Sequence, residues 1–310
     1  MSNCLICYED AGNHQYHPGC AKRFFGIEVM PELTLNKQLL KELAERTVNQ
    51  RISITGVQPK LSVSLEKIKG NNRLTIVNLW GEYILKPQHD EIHAMPETED
   101  LTMHLAGLFG IIGCEHTLLH ASDGSLVYIA RRFDRIGQKK IHMEDFCQLS
   151  EFPTENKYKG SYERAGKLIQ RYCTYSGLDA IRYFELLLFC YLTGNNDMHL
   201  KNFSLIYLKD SIELSPAYDL LNVNLVFPND KEETALLLSG KKSNIKLKDF
   251  DALAQLLNIP DKVKINSYNK FRSSQEKVQK LINSSFLDDE KKAGYWEIWN
   301  QKQKIFPSLL

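Results

Sequence analysis

The chain has 310 residues, 43% hydrophobic and 25% charged, and its 39 Lys and Arg nearly balance 38 Asp and Glu for a net charge of +1. Such a composition describes a globular chain long enough for two modest domains and excludes disorder. It also excludes the strong positive field that direct binding to nucleic acid or an anionic membrane requires.

The first ten residues have neither the basic start nor the apolar core of a signal peptide. The most apolar stretch, residues 183–192, contains Glu185 and is too short to span a bilayer. Cys114, Cys147, Cys173 and Cys190 stand singly in apolar surroundings, as reduced buried thiols do, so the expected location is the cytoplasm. Up to Gly26 the chain is rich in Cys, His, Gly and Asn and lacks apolar periodicity. Leu35, Leu39, Leu40 and Leu43 then recur at helical spacing within residues 31–48. Residues 52–86 read as strand, turn and strand, with Leu61, Val63 and Leu65 alternating and Gly70-Asn71 supplying the turn. A helix is predicted over 97–109 and a strand over 127–133. Beyond Arg135 helical patterns dominate, at 162–175, 178–193, 247–257 and 288–304, with a short strand at 203–208. A sheet-rich first part and a helix-rich second part predict a two-lobed α+β protein with a cleft.

Residues 193–203, Thr-Gly-Asn-Asn-Asp-Met-His-Leu-Lys-Asn-Phe, follow a long apolar helix and precede a strand. Polar groups crowded there are costly to bury unless paired or used. Asp197 and Asn202 are five apart, the spacing of the base and the metal-ligating Asn in a protein-kinase catalytic loop. Asp197 can accept the proton of an attacking hydroxyl, Asn202 can ligate magnesium, and Lys201 can stabilise charge on a moving phosphoryl group. Seventeen residues on, Asp219 follows a short strand, where a kinase places its second magnesium ligand. Alone, Asp197 and Asn202 would pass for a turn and Asp219 for a helix cap. Upstream, Lys86 ends an apolar strand, as a phosphate-pairing lysine does, although most such lysines are merely solvated. The segment around Ser53, Thr55 and Gly56 is a small polar turn at the position of a phosphate-covering loop.

In chain order, Ser53-Ile54-Thr55-Gly56-Val57-Gln58-Pro59-Lys60-Leu61, Ile84-Leu85-Lys86-Pro87 and Arg132-Phe133-Asp134-Arg135 are followed by His142-Met143-Glu144-Asp145-Phe146-Cys147-Gln148. The loop at 194–202, Pro216-Ala217-Tyr218-Asp219-Leu220 and Leu238-Ser239-Gly240-Lys241 complete the set. Together they resemble the HipA family of serine/threonine kinases, the toxins of bacterial toxin–antitoxin modules. The resemblance implies a two-lobed HipA-like kinase fold, with a sheet-containing N-lobe at 1–130 and a largely helical C-lobe at 131–310. It implies Asp197 as catalytic residue, Asn202 and Asp219 as magnesium ligands, and Lys86 on the ATP phosphates. Phe133 would lie at the adenine hinge, His199 and Tyr218 would line the nucleotide site, and Ser53, with Thr55 beside it, would be autophosphorylated. It further implies a protein substrate, an aminoacyl-tRNA synthetase in the best-known relatives, restraint by a small antitoxin, and DNA contact only through that partner. About fifty residues precede Ser53, fewer than in the larger members, which is similar to the short HipT type of a three-gene module. Where those members carry an acidic residue, this chain has Arg131.

Cys4-x2-Cys7 and His17-x2-Cys20 have the spacing of a structural zinc site. In the plain alternative the cysteines pack as small apolar residues and His17 caps the following turn. Two other readings of the whole chain stand beside the kinase toxin: a small-molecule phosphotransferase, and a non-catalytic zinc-bearing binding module.

Overall fold

In the computed structural model, which describes residues 2–49, 60–68, 71–77, 80–89, 91–137 and 139–307, the chain divides into two units. One comprises Met1–Leu101, Cys114–Lys139 and Asn283–Leu287; the other comprises Thr102–Gly113, Lys140–Ile282 and Asp288–Leu310. Ser53, Thr55 and Gly56 lie outside the described residues.

Alternation of apolar residues builds the first unit. Helix α1 (Pro18–Phe25) starts on a proline and stops at Gly26, whose φ of 70° is left-handed and whose N–H returns to the Lys22 carbonyl. Helix α2 (Lys37–Asn49) follows, and then strands β1 (Leu61–Ile68), β2 (Asn71–Ile76) and β3 (Tyr83–Lys86). After helix α3 (Met95–Leu108) come β4 (His116–His120), β5 (Leu126–Arg131) and the two-residue strands β6 (Arg135–Ile136) and β7 (Lys139–Lys140). The first five strands form one antiparallel sheet in the order β2-β1-β3-β5-β4. Leu61, Val63, Leu85, Val127 and Ile129 cluster with Phe24 and Phe25 of α1 and Leu40 of α2. Each such buried side chain stabilises by roughly 1.5–3 kcal/mol. Because strand side chains alternate in direction, Lys86 falls on the opposite face, in register with Tyr128 of β5.

The second unit holds β8 (His142–Asp145), α4 (Phe146–Leu149), α5 (Tyr162–Tyr172), α6 (Ser176–Leu192), β9 (Ser204–Tyr207) and β10 (Ile212–Leu214). These are followed by α7 (Val223–Val226), α8 (Leu247–Leu256), α9 (Asp261–Arg272), α10 (Gln275–Ser284) and α11 (Asp289–Gln303). The C-terminal half of helix α6, from Leu186 to Leu192, is apolar and buried all round, and α5, α8, α11 and β10 pack on the helix. Phe109 stacks on Trp299, with ring centroids 5.6 Å apart, and meets Phe189 and Phe271. Strands β8, β9 and β10 form a small antiparallel sheet.

The predicted helices and strands are present, with ends shifted by a few residues. Helix α2 begins at Lys37 rather than near Pro31, since the carboxylate of Asp123 accepts the Lys37 N–H and Asn36 accepts that of Leu39. Elements α1, β4, β6, β7, β8, α4, α7, α9 and α10 are not anticipated by the sequence reading. In α9 only Ser267 and Phe271 are buried, too few for an apolar stripe. Cys114, Cys147, Cys173 and Cys190 are buried and form no disulfide, as expected.

The exit from α6 tolerates little change. Gly194 has φ +67°, and a Cβ there would stand 2.9 Å from the side-chain oxygens of Asn222 and Asn224 and 3.0 Å from Ile298. Gly194→Ala is therefore expected to cost about 1–3 kcal/mol, read as a lowered midpoint in thermal or urea unfolding.

Candidate active site

Loop residues 193–202 leave α6 and enter β9 through a 3-10 turn, Leu200–Asn202. Thr193, Asn195, Asn196, His199 and Asn202 are all buried, so their polar groups need partners. The Asn202 side-chain amide donates to the Asp197 carbonyl at 3.0 Å, and the His199 N–H reaches the same oxygen at 2.8 Å. That use of its NH2 leaves Oδ1 of Asn202 as the atom that can meet a cation. The Asp197 N–H is held by Asn195 Oδ1 at 3.3 Å, and Asn196 donates to the Glu232 carbonyl.

The Asp197 carboxylate accepts a 2.6 Å hydrogen bond from the Tyr158 hydroxyl. Burial pushes its pKa above the usual carboxylate range; Tyr158 and Lys157 oppose this, whereas Asp219 and Asp230 add to it. His199, against the Tyr158 ring, is pushed down to about 4, chiefly by burial and then by Lys157. It is thus neutral at pH 7. Its Nδ1 and the Asn196 Oδ1 have no hydrogen-bond partner among the described residues.

Tyr218 ties the Asp219 segment to this loop. Its hydroxyl donates to the Lys201 carbonyl at 2.9 Å and lies 2.6 Å from Ser204 Oγ. Asp219 follows at φ 56°, a left-handed conformation that Asp adopts more readily than most residues. Its negative charge pushes the pKa values of Asp197 and His199 upward, a small contribution beside that of burial. Lys201 is not a free amine: it pairs at 2.7 Å with Asp145, which also caps α4 through the Gln148 N–H. Carboxylates and an amide oxygen are hard ligands and fit magnesium better than a softer metal. When bound, magnesium and ATP would supply charge neutralisation and the phosphoryl group.

In the first unit Lys86 forms a 2.6 Å ion pair with Glu99 of α3, both almost fully buried, and sits over the Tyr128 ring. A β3 lysine paired with a glutamate of the next helix is the arrangement that positions the phosphate-binding lysine of a kinase. Phe133 lies in the turn after β5, braced by Asp134, which accepts both Arg132 and Arg135. Despite burial, those two guanidinium groups hold Asp134 below the usual carboxylate range. Arg131 forms a half-exposed ion pair with Glu115 at 2.7 Å.

Near the start, single donor atoms of Cys4, Cys7, His17 and Cys20 lie within 4.8 Å of one another. His17 occupies the N-cap position of α1 but makes no side-chain capping bond.

Sequence reasoning missed Glu99, Tyr158, Lys157 and Asp145. Glu99 had a usable signal, since it falls on the predicted helix directly after the Lys86 strand. Tyr158 and Lys157 had none, because they reach Asp197 only through tertiary folding. Tyr158→Phe removes the donor that stabilises the Asp197 anion, so the Asp197 pKa is expected to rise further. A carboxyl-carbon NMR titration of the variant against the parent reads this directly; an unchanged midpoint would contradict it.

Residues 52–286 match the family described as HipA-like C-terminal domain. A Haemophilus influenzae protein whose name assigns it only provisionally as a kinase is 28% identical over 287 residues, 83% of this chain and 82% of its own. The serine/threonine-protein kinase toxin HipA of Shewanella oneidensis is 26% identical over 197 residues, 56% of this chain and 44% of its own length. Against that relative the chain spans less than half. A solved complex of Shewanella oneidensis HipA with HipB and operator DNA contains a chain that superposes with a TM-score of 0.67 at 22% identity. The superposition covers 82% of this chain and 64% of the other, and it shows that the fold is that of HipA. With three quarters of its length matched to one family, this chain belongs to the HipA-like C-terminal domain family.

Proposed function

We propose that the protein is an ATP-dependent serine/threonine protein kinase, with magnesium as its metal. The observation that carries this reading is the set Asp197, Asn202 and Asp219, fastened around one 3-10 turn by Asn202 and Tyr218. Asp197 orients the acceptor hydroxyl and takes its proton, a role that suits a carboxylate with a raised pKa. Asn202 Oδ1 and the Asp219 carboxylate hold the metal, and Lys86, steadied by Glu99, pairs with phosphate oxygens. The unpartnered His199 Nδ1 and Asn196 Oδ1 suit a polar ligand such as the nucleotide. Lys201, held by Asp145, supports the loop's charge balance beside the transferred group. Phe133 contributes the hinge, with 1–130 as the phosphate-binding lobe and 131–310 as the catalytic lobe.

In this reading the enzyme acts as a toxin of the short, HipT-like type in the cytoplasm. Its substrate is a hydroxyl of a cellular protein, with an aminoacyl-tRNA synthetase as the candidate. A small antitoxin restrains it and supplies any contact with DNA; the solved HipA chain, held with HipB and operator DNA, supports such a partner. Among the described residues no helix is long and apolar enough to cross a membrane. Ser53 or Thr55 is the site of autophosphorylation, and a phosphate on either places up to about two negative charges at the phosphate-covering loop and weakens ATP binding.

Two outcomes test the reading. Asp197→Asn is expected to lower phosphotransfer from ATP by about 10²–10⁴-fold in a radiolabel assay, while circular dichroism stays unchanged; equal rates would sink the assignment. Phosphosite mapping should find phosphate on Ser53 or Thr55 in the parent protein and none in Asp197→Asn.

A further inference from the structure

We propose that Cys4, Cys7, His17 and Cys20 hold one zinc ion in a closed structural site, and that the loop it closes positions α3, the helix whose Glu99 pairs with Lys86. Three thiols and an imidazole are a complete soft-to-borderline set with no vacancy for water or substrate. The spacing agrees. Cys7 Sγ and Cys20 Sγ lie 3.4 and 3.8 Å from His17 Nδ1, around the ~3.5 Å edge of a tetrahedron with ordinary Zn–S and Zn–N bonds. The other ring nitrogen, Nε2, lies 3.1 Å from the Asp10 carbonyl. Donation there leaves the Nδ1 lone pair for a metal, the usual second contact of a zinc-bound histidine. The His17 backbone N–H points at Cys4 Sγ at 3.4 Å, which favours a thiolate.

The segment's own apolar core is small. Its apolar cluster consists of Cys4, Ile6, Ala11 and Ala21, with a few partly buried neighbours, and no disulfide joins its cysteines. A core so small does not order a loop unaided.

What the loop grips gives the metal its consequence. Strand β4 is the edge of the sheet. On one of its faces Thr117 Oγ donates to the Leu5 carbonyl at 2.9 Å, between Cys4 and Cys7 in sequence. On the other, Asp100 of α3 bonds His116 at 2.6 Å and accepts the Tyr8 hydroxyl at 2.7 Å. Tyr8 follows Cys7 directly, in a left-handed conformation with φ 64°, and its ring rests edge-on against Phe286. The metal loop thus clasps the edge strand and fastens α3 at the residue next to Glu99. Removing the metal releases Tyr8, leaves the buried Asp100 short of a donor and loosens the helix that steadies Lys86. The catalytic consequence rests on the kinase reading; zinc binding and the anchoring of α3 do not.

Elemental analysis of the tag-free full chain should find about one zinc per chain, and Cys4→Ser or Cys20→Ser should lose most of it. Hydrogen exchange then reads α3: chelation should speed exchange across Met95–Leu108. Tyr8→Phe should do the same while keeping its zinc, which separates anchoring from general unfolding. A folded chain without zinc overturns the site, and zinc loss with unchanged α3 exchange overturns the anchoring. Neither readout depends on phosphotransfer, whereas a several-fold rise in the KM for ATP in Tyr8→Phe is expected only if the kinase reading also holds.

Discussion

The structure turns on one constraint: residues 193–202 are rich in polar side chains, almost wholly buried and without extended secondary structure of their own. Each amide and carboxyl there must find a partner or carry a desolvation cost of about 1–3 kcal/mol. The Asn202 amide on the Asp197 carbonyl is the link that closes the loop on itself. From it follow the direction of Asn202 Oδ1, the stance of Asp197 beneath Tyr158, and the anchoring of the Asp219 segment through Tyr218. Helix α6 must be rigid for this to hold, which accounts for the aromatic packing around Phe109, Phe189 and Trp299 and for a glycine at 194.

The Lys86–Glu99 pair follows a similar logic in the first unit. Two charges taken out of water gain little net stability from each other, yet removing one partner leaves a buried charge and costs about 3–5 kcal/mol. A pair of this kind is better understood as a positioning device. Glu99 fixes the ammonium group, and Tyr128 offers its ring face beneath. Asp100, one residue on, joins α3 to the edge strand and to the cysteine-rich start, so the pair is braced from a second direction.

Much of this was legible beforehand for identifiable reasons. Period-2 alternation in β1 and the long apolar run of α6 are strong signals, and the five-residue spacing of Asp197 and Asn202 becomes a direct hydrogen bond because both lie in one short loop. Helices α9 and α10 were not legible, since polar residues dominate them and few of their side chains are buried. Edge strand β4 was hidden as well: His116, Thr117 and His120 dilute its apolar pattern, and the contacts that use His116 and Thr117 come from α3 and from Leu5. Tyr158 and Asp145, which set the electrostatics of Asp197 and Lys201, lie 39 and 56 residues away from their partners. Separation of that size leaves no local pattern.

We propose that Asn202 and Asp219 form a metal-dependent nucleotide site. Calorimetric titration of ATP, with and without magnesium, into the parent protein and Asp219→Ala tests it most directly. Magnesium should tighten ATP binding by about tenfold or more, ~1.4 kcal/mol, in the parent, and that gain should vanish in the variant. An equal gain in both proteins would contradict the account.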